Sequence, residues 1–385
     1  MQDFASLFIF RRETMESLDQ LKKIVIGNES TFLLNKNGRT FVSGLNRHNK
    51  FGLKDKENKL KVRPYQAVDL LDIHNISTSS FHSLFVTNKG EVYSGGLNMR
   101  GQLGLGHNKP PYAGPLIQIP ELKHVKVKKT CASELINMAL TYNGEVYMWG
   151  ENRYGAMGNG SDIYFLSSPI PLQFQSMIVD IAISDNTCFV LDADQKVYAW
   201  GENSSEQIYE ISESNICNPV LVPYPVPIVQ IVASPNFMAA LSQHGDVFFN
   251  GRMLSRIEKK IYSTELPIIE IVCGTQHIVM VDFNRNLHVL GSNSCGCLGV
   301  GKRSSVLQPE KIEDFTSIDD VYAGGYQTWI KINDQWYAAG QNSYLQLGIH
   351  SSKNQNKSIR IPVSSQLEMV LDEWQHVNNF IPIAF

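Results

Sequence analysis

Seven short polar segments recur along the sequence at intervals of about 50 residues, and they hold the side chains best suited to recognising a charged partner. The segments are GNES (27–30), SSFH (79–82), SELI (133–136), SDNT (184–187), SPNF (234–237), GTQH (274–277) and GGYQ (324–327). Carboxylates such as Glu134 and Asp185 can pair with a lysine or compete for magnesium-coordinating groups. A histidine such as His277 can hydrogen-bond a neighbouring loop. The acidic residues can equally cap exposed turns by accepting backbone N–H bonds.

The same succession of short elements follows each polar segment. An apolar stretch such as SLFVT (83–87) or IVMVD (278–282) leads to a turn of Asn, Asp, Lys or Gly, and then to a run such as VYMWG (146–150). Branched and aromatic residues separated by such turns predict antiparallel strands and hairpins. Seven copies of this run close on Gly44, Gly96, Gly150, Gly201, Gly251, Gly291 and Gly340, with spacings of 52, 54, 51, 50, 40 and 49 residues.

A period near 50 residues over nearly the whole chain predicts a repeat fold. Sheets of three or four strands at this period most economically form an all-β, seven-bladed β-propeller, in which each blade packs on the next. We expect residues 1–385 to be one domain, with repeats over about 24–350. ASLFIF (5–10) resembles HSLFVT (82–87), so we expect the segment 1–23 to supply a strand that joins C-terminal strands in one blade. Residues 351–385 would close or cap the ring.

The repeated glycines and tryptophan are expected to be structural. Gly96 and Gly150 would let backbone pass closely between blades and would permit positive φ after the third strand, while Trp149 would pack inside. Differences between copies, rather than the shared text, are then the places to look for function.

Composition excludes several classes of function. The chain has 34 basic and 37 acidic residues, a net charge of −3, and no longer cluster of basic residues than KVKK (126–129). Nucleic-acid binding is therefore not expected. No apolar run approaches the roughly 18 residues of a membrane span, and the six cysteines are too sparse for a disulfide scaffold. SCGC (294–297) lacks the second knuckle of a structural zinc site. We expect no metal, no cofactor, no hydrolase or transferase chemistry, and a monomer.

The copies GEVYSGGLNMRGQLGLG (90–106) and GEVYMWGENRYGAMGNG (144–160), each with a polar turn such as SSFHS or GTQHI before its second strand, resemble the repeats of the regulator of chromosome condensation family. The resemblance covers about residues 24–350, and the fifth copy departs most, since it lacks the Asn and the QLG after Gly251. It implies a seven-bladed propeller. For the founding member it also implies guanine nucleotide exchange on the small GTPase Ran, whereas other members are scaffolds or modules of ubiquitin ligases and channel-associated proteins.

The resemblance also implies roles for particular residues. The founding exchange factor uses acids from this turn in two consecutive blades and a histidine two blades later, which here would be Glu134, Asp185 and His277. Asn186 and Asn236 would be partner contacts in the intervening positions. His82 occupies the equivalent place in blade two, although the repeat pattern itself favours histidine there as a strand-bridging residue. Glu134 stands where the family pattern has Asp.

A second family feature is a β-wedge, a protruding loop that acts on the nucleotide site. Its counterpart would be NRYGAMGNGSDIYFL (152–166), where Asp162, Tyr164 and Phe165 would form part of an exposed tip. The loop is no longer than its neighbours, so an ordinary blade connection is the other interpretation.

Two functions therefore remain open. The first is exchange on a Ran-like GTPase through one propeller face, and the second is a non-catalytic scaffold for another protein. We expect a cytoplasmic protein. The acidic, apolar-ended stretch SSQLEMVLDEWQHVNNFIPIAF (364–385) also resembles the secretion signals of bacterial effectors that act in host cytoplasm. A final strand or helix of the ring would explain the same stretch.

Overall fold

The structure is a computed structural model, and it describes residues 21–53, 61–68, 70, 72–109, 115–254, 256–301, 303–347 and 353–361 of the 385-residue chain. Regular structure in these ranges is nearly all β, with 28 strands in seven four-stranded antiparallel sheets. Three short 3₁₀ helices lie in loops, at Arg47–Asn49, Pro120–Leu122 and Arg153–Gly155. The predicted all-β, seven-bladed propeller is confirmed.

Each blade is a meander of four strands that are consecutive in sequence. Blade 1 contains β1 (Leu21–Ile26), β2 (Ser30–Asn35), β3 (Thr40–Leu45) and β4 (Lys61–Ala67); blade 2 contains β5 (Ile73–Thr78), β6 (His82–Thr87), β7 (Val92–Gly96) and β8 (Ile117–Gln118). Blade 3 contains β9 (Val127–Ala132), β10 (Ile136–Thr141), β11 (Val146–Glu151) and β12 (Phe165–Leu172); blade 4 contains β13 (Ile178–Ser184), β14 (Thr187–Asp192), β15 (Val197–Glu202) and β16 (Asn215–Leu221). Blade 5 contains β17 (Ile228–Ser234), β18 (Phe237–Ser242), β19 (Val247–Met253) and β20 (Arg256–Tyr262). Blade 6 contains β21 (Ile268–Cys273), β22 (His277–Asp282), β23 (Leu287–Gly291) and β24 (Val306–Ile312); blade 7 contains β25 (Asp320–Gly324), β26 (Gln327–Ile332), β27 (Gln335–Gly340) and β28 (Gln355–Ile361).

The first strand of each blade contacts the first strand of the next, so these seven strands surround the central axis. The ring closes where β25 of blade 7 contacts β1 of blade 1. Among the described residues, both of these blades are built from their own four strands. The strand predicted at residues 5–10 lies outside the described residues and stays a prediction. Of the closing or capping segment predicted at 351–385, residues 355–361 form β28 of blade 7, and residues 362–385 lie outside the described residues.

The second strands form the interior of the blades. β2, β6, β10, β14, β18 and β22 are buried along their whole length. Both faces of each sheet meet a neighbouring sheet, which explains why these segments read as continuous apolar runs rather than as alternating patterns. In the largest cluster, Met138 of blade 3, Phe189 of blade 4 and Met238 of blade 5 share one core. A side chain of the size of Phe189 contributes about 1.5–3 kcal/mol when it is fully buried.

The closing glycines have the predicted positive φ, but their close backbone approach lies within a blade and not between blades. Gly150 has φ of +107°, and a Cβ there would lie 2.1 Å from the carbonyl oxygen of Leu135, in the turn before the second strand of the same sheet. Gly96 makes the same approach to Phe81 at 2.4 Å. Close approach between blades occurs instead at the glycines before the third strands, since a Cβ on Gly90 would lie 2.9 Å from the Cα of Lys126 in blade 3. Trp149 also links blades, because its buried Nε1–H donates to the carbonyl oxygen of Gln102, 3.1 Å away in blade 2.

The short fifth repeat has a simple structural cause. β20 follows β19 after only two residues, and the two strands pair in unbroken register from Val247 with Tyr262 to Met253 with Arg256. Leu254 adopts a φ of +52° in this turn. A tight hairpin therefore replaces the long loop that other blades carry between their third and fourth strands.

Candidate functional site

The turns between first and second strands share one face of the propeller with the loops between third and fourth strands. Antiparallel pairing fixes this arrangement, since the start of β10 lies beside the end of β11, at Ile136 and Gly150. We call this face the upper face. The opposite face, which we call the lower face, carries the turns between second and third strands and the connections between blades. The polar turns, which carry Glu134, Asp185, Asn186 and Asn236, therefore lie on the upper face.

A cavity of about 190 Å³ opens on the upper face at the central axis, and all seven blades contribute to its lining. Glu134 of blade 3 and Asp185 of blade 4 are both among the lining residues. The structure thus brings together, at one mouth, two acids that lie 51 positions apart in the sequence.

One carboxylate oxygen of Glu134 accepts hydrogen bonds, and the other has none. Its Oε1 accepts hydrogen bonds from the Ser80 hydroxyl at 2.7 Å and from the Ser80 backbone N–H at 3.3 Å. Its Oε2 is buried without a hydrogen-bond partner among the described residues. Ser80 belongs to the corresponding turn of blade 2, so Glu134 links neighbouring blades rather than capping its own turn.

Asp185 is exposed at the same mouth and adopts a φ of +46°. Partial burial of its carboxyl group is the largest cause that raises the pKa of Asp185 to about 6, and the nearby carboxylates of Glu134 and Glu202 raise it further. No hydrogen bond joins its carboxylate to the described residues, so the turn-capping interpretation gains no support here. Sequence reasoning missed Glu202, the last residue of β15, although the run WGEN occurs twice, at 149–152 and 200–203.

His277 and His82 lie inside the molecule. Neither side chain is exposed, and burial lowers the pKa of each to about 4, so both are neutral at pH 7. His277 Nε2 is hydrogen-bonded to the Thr328 hydroxyl of blade 7 at 3.0 Å, and His82 Nε2 to Asn137 Oδ1 of blade 3 at 2.6 Å. Both histidines bridge adjacent blades, which is the role that the repeat pattern favoured, and neither reaches the upper surface.

The two predicted asparagine contacts are half-buried on the upper face. The amide of Asn186 donates to Glu202 Oε2 at 3.0 Å, so Asn186 holds one of the carboxylates that flank Asp185. The carbonyl oxygen of Asn236 accepts the Arg252 N–H at 2.7 Å. This is a backbone bond that the corresponding residues of the other blades also make, as Leu135 does with Glu151.

The loop predicted as a wedge lies on the same face, beside blade 3. Asp162 is exposed, Ile163 and Tyr164 are 56% and 49% exposed, and Phe165 is half-buried as the first residue of β12. The Arg100 guanidinium lies 5.3 Å from the centre of the Tyr164 ring, within the range of a cation–π contact. The loop therefore presents a small apolar tip that a neighbouring blade supports.

A collar of polar side chains joins the turns around the mouth. The Thr275 hydroxyl of blade 6 donates to Asn28 Oδ1 of blade 1 at 3.1 Å, and Asn28 Nδ2 lies 3.5 Å from the Ser80 hydroxyl, which in turn bonds Glu134. The Ser234 hydroxyl of blade 5 donates to the carbonyl oxygen of Thr275 at 2.7 Å. These bonds fix the relative positions of five turns, and no local pattern in the sequence could have paired them.

A buried lysine supports the collar from below. Lys50 is fully buried, and its ammonium donates to the carbonyl oxygen of Ser79 at 2.9 Å. Burial lowers the pKa of Lys50 to about 8, although the charges of Glu29 and Glu134 oppose this shift. Lys50 stands where other repeats carry glutamine, as at Gln102 and Gln207. It therefore places a positive charge beneath the turn that holds Glu134.

The described residues contain neither a cluster of metal-binding side chains nor a membrane-spanning helix. No group of three or more His, Cys, Asp or Glu side chains there is close enough to hold a metal ion. No helix in the same ranges is both long and apolar enough to cross a membrane.

Comparison with family models identifies repeats in the middle of the chain. The regulator of chromosome condensation (RCC1) repeat matches residues 89–140 and 143–191, and a second model of the same repeat matches 127–156 and 178–207. These matches cover blade 3 and parts of blades 2 and 4, and they include both acids of the mouth.

Curated relatives are about a quarter identical to this chain over the aligned residues. The ultraviolet-B receptor UVR8 of Arabidopsis thaliana is 26% identical over 325 residues, covering 78% of this chain and 73% of the receptor. The probable E3 ubiquitin-protein ligase HERC6 of Homo sapiens is 24% identical, covering 80% of this chain and 27% of the ligase. The RCC1-like G exchanging factor-like protein of Mus musculus is 24% identical, covering 75% of this chain and 57% of that protein.

Solved structures support the fold. Human WBSCR16 superposes with a TM-score of 0.70 and 23% identity, covering 79% of this chain and 85% of that one. Prp20p of Saccharomyces cerevisiae, described with its binding to Gsp1p and histones, superposes with a TM-score of 0.70 and 17% identity, covering 90% of this chain and 88% of that one. At these identities the likeness concerns the fold alone.

Proposed function

Because the chain carries repeats of the regulator of chromosome condensation family on a seven-bladed propeller, we propose that its upper face binds a Ran-type small GTPase and promotes release of the bound guanine nucleotide. One observation carries this proposal. Glu134 and Asp185, from adjacent blades, line the same mouth. In each of them, at least one carboxylate oxygen has no hydrogen bond to the described residues. Prp20p, which binds the Ran protein Gsp1p, and the RCC1-like G exchanging factor-like proteins lend support through their shared architecture.

The size and charge of the mouth fit a single basic side chain. Its volume of about 190 Å³ is below the roughly 300–1,000 Å³ of common small-molecule pockets. Two carboxylates, with Glu202 close behind them, provide acceptors for an ammonium or guanidinium group. A lysine or arginine of the GTPase would enter the mouth and offset the mutual repulsion of these acids.

Nucleotide exchange breaks no covalent bond in the GTPase or in the exchange factor. The exchange factor must bind the nucleotide-free GTPase more tightly than the loaded one, through contacts that only the nucleotide-free form makes. In our proposal, a basic side chain that contacts phosphate in the loaded GTPase moves to Glu134 and Asp185 once the nucleotide has left.

The partner would also cover the loops around the mouth. A stable interface buries roughly 800 Å² on each partner, far more than the mouth alone provides. The loop 152–164 adds the exposed Ile163 and Tyr164 beside blade 3. We expect Asp162 and these two side chains to contribute to partner contact, with Asn186 acting through Glu202. The buried His277 and His82 would act only by holding blades together.

A non-catalytic scaffold is the second candidate. It is favoured by the burial of His277, because the histidine that the family resemblance assigned to the partner surface is not available there. UVR8 and the HERC ligases, by their names, have other functions on the same repeat.

The two candidates differ in how they respond to the nucleotide state of the GTPase. We would immobilise Ran either free of nucleotide or loaded with GDP and magnesium, and measure the affinity of the propeller for each. An exchange factor is expected to prefer the nucleotide-free form by at least about tenfold, or about 1.4 kcal/mol. Equal affinity for the two forms would support the scaffold, and no binding to either would reject Ran as the partner.

Asp185→Asn is the informative variant for this assay. Asparagine keeps the size of the side chain and tolerates positive φ, whereas alanine at a φ of +46° would add backbone strain. We expect Asp185→Asn to weaken binding to nucleotide-free Ran. Asp194→Asn on the lower face, where the side chain is 63% exposed, is the matched control.

A further inference from the structure

The lower face carries a second charged surface that the proposed function does not use. Six exposed lysines lie on the lower sides of blades 1 to 3, and we call them the lysine arc: Lys22, Lys36, Lys89, Lys123, Lys126 and Lys128. The cluster KVKK (126–129) supplies two of them, and the other four stand at separate positions in the sequence. The sequence therefore shows only a fragment of this surface.

Direct backbone bonds make the arc continuous across the three blades. The N–H of Ile73 donates to the carbonyl oxygen of Gly38, beside Lys36, at 3.1 Å. The N–H of Val127 donates to the carbonyl oxygen of Gly90, beside Lys89, at 3.1 Å. His74, in the first strand of blade 2, bonds the carbonyl oxygen of Lys128 at 2.8 Å. The segments that carry the lysines are therefore immediate neighbours in space.

The lysines of the arc are not neutralised within the described part of the chain. No ion pair there joins any of the six to a carboxylate within 4.0 Å, whereas Lys196, Lys311 and Lys331 on other blades each have such a partner. Asp72, Glu121 and Glu145 are exposed on the turns and connections that carry the arc. Asp334 of blade 7, which is paired with Lys331, also interacts electrostatically with Lys36. Six positive charges against the three exposed acids leave a surplus of positive charge, which can bind an anionic partner.

The rest of the lower face limits the size of that partner. Asp194, Glu313 and Asp334 in blades 4, 6 and 7 have side chains that are 63%, 79% and 93% exposed. Each of these carboxylates is paired with a lysine, so these groups give blades 4, 6 and 7 no surplus of positive charge for a bilayer or a long duplex that covered the whole face. A short acidic segment confined to blades 1 to 3 needs no such surplus there.

Exposed apolar residues border the arc on its blade 3 side. Tyr142 is 51% exposed, and its N–H donates to the carbonyl oxygen of Lys126 at 3.1 Å. Met177 is 52% exposed and lies against the same turn, since a Cβ on Gly144 would meet Met177 Cγ at 2.3 Å. Tyrosine and methionine are both frequent at protein interfaces. They offer contact to an apolar side chain that neither phosphate backbone nor lipid headgroup carries.

We propose that the lysine arc binds an acidic polypeptide segment of a protein partner, with an apolar residue of that segment packed on Tyr142 and Met177. Because the arc lies on the opposite face from Glu134 and Asp185, this contact is independent of the GTPase. The propeller would hold two proteins at once, one on each face.

Fluorescence anisotropy with a labelled polyglutamate peptide that ends in leucine and phenylalanine tests this proposal. We expect saturable binding by the wild type that weakens as salt is raised. Lys89→Glu with Lys126→Glu is expected to weaken binding by about tenfold or more, because two attractions become repulsions. The control pair Lys196→Glu with Lys311→Glu makes the same change in net charge on the same face and should alter the affinity by less than about twofold.

A third variant separates apolar contact from simple charge attraction. Tyr142→Ser should weaken binding of the peptide with the apolar end and leave a plain polyglutamate peptide unaffected. Thermal melting of every variant would show that the fold is retained. The proposal would be overturned by absence of peptide binding, by equal losses in the two lysine pairs, or by tighter binding to phosphatidylserine vesicles or duplex DNA than to the peptide.

Discussion

Replacing Asp185 with asparagine should make the folded protein more stable. Three carboxylates approach one another at the upper mouth, and burial together with the charges of Glu134 and Glu202 raises the pKa of Asp185 to about 6. Such a raised pKa means that folding disfavours the ionised form of this carboxyl group. Asparagine has the same shape, carries no charge and tolerates the local φ of +46°.

The size of the effect follows from the pKa and from exposure. A rise from the ordinary value of 3.8 to about 6 would correspond to about 3 kcal/mol against the carboxylate if the group were fully enclosed. Because Asp185 is exposed, solvent screens the charges, and we expect Asp185→Asn to raise the free energy of unfolding by about 1 kcal/mol at pH 7.5. The gain is fully present above pH 6, shrinks to roughly a third at pH 4.5, and is absent below pH 3.8.

Urea unfolding followed by tryptophan fluorescence, at pH 7.5 and at pH 4.5, would measure this gain. Asp194→Asn, on an exposed turn of the lower face, is expected to change the free energy of unfolding by less than about 0.5 kcal/mol. A loss of stability in Asp185→Asn, or a gain that does not depend on pH, would refute the interpretation of the mouth as a cluster of repelling acids. A loss would instead indicate that the carboxylate stabilises its turn.

Three further outcomes are expected. Binding to nucleotide-free Ran should weaken as pH falls below about 6, since protonation removes the charge of Asp185, and surface plasmon resonance should find this dependence reduced in Asp185→Asn. His277→Ala should lower the free energy of unfolding by about 2–4 kcal/mol, because it leaves a cavity and an unpaired Thr328. Nucleotide release per folded molecule should stay unchanged. A loss of nucleotide release without a loss of stability would contradict the buried role of His277. Gly150→Ala should cost more than about 2 kcal/mol in thermal or urea unfolding, because strain at positive φ adds to the clash with Leu135, whereas Gly106→Ala, with only Ser168 Oγ at 3.7 Å, should cost about 1 kcal/mol.

Much of the fold could be predicted from the sequence because the residue pattern of each repeat indicates its local structure. The closing glycines mark the ends of third strands, and all seven have φ between +100° and +121°. Branched and aromatic runs such as HIVMVD mark second strands, and that run is β22. A propeller joins neighbouring repeats in order, so a correct period and a correct strand order nearly determine its architecture.

The site was less predictable because it depends on which atoms meet across blades. The polar turns contain Glu134 and Asp185, which the structure places at one mouth. Residue type alone could not show that the His277 side chain is hydrogen-bonded to Thr328 of blade 7. Lys50 lies in a loop of blade 1 and donates a hydrogen bond to Ser79 in a turn of blade 2, 29 residues away in the sequence. No local sequence pattern predicts this contact. The lysine arc was missed for the same reason.

The predictions that concern the chain termini and the cell stay predictions. Residues 5–10 and 364–385 lie outside the described residues, so closure by a terminal strand and a C-terminal secretion signal are not addressed by the structure. A cytoplasmic location and a monomeric state likewise stay predictions.

Release of a fluorescent GDP analogue from Ran tests the central proposal most directly. We would compare the wild type, Asp185→Asn, the double variant Glu134→Gln with Asp185→Asn, and the control Asp194→Asn, with Rab- and Rho-type GTPases as further substrates. The account predicts accelerated release from Ran by the wild type and the control, a loss of about tenfold or more in Asp185→Asn, or 1.4 kcal/mol of transition-state stabilisation, and a larger loss in the double variant. Release that is not accelerated, or that is accelerated equally by all four proteins, would contradict it.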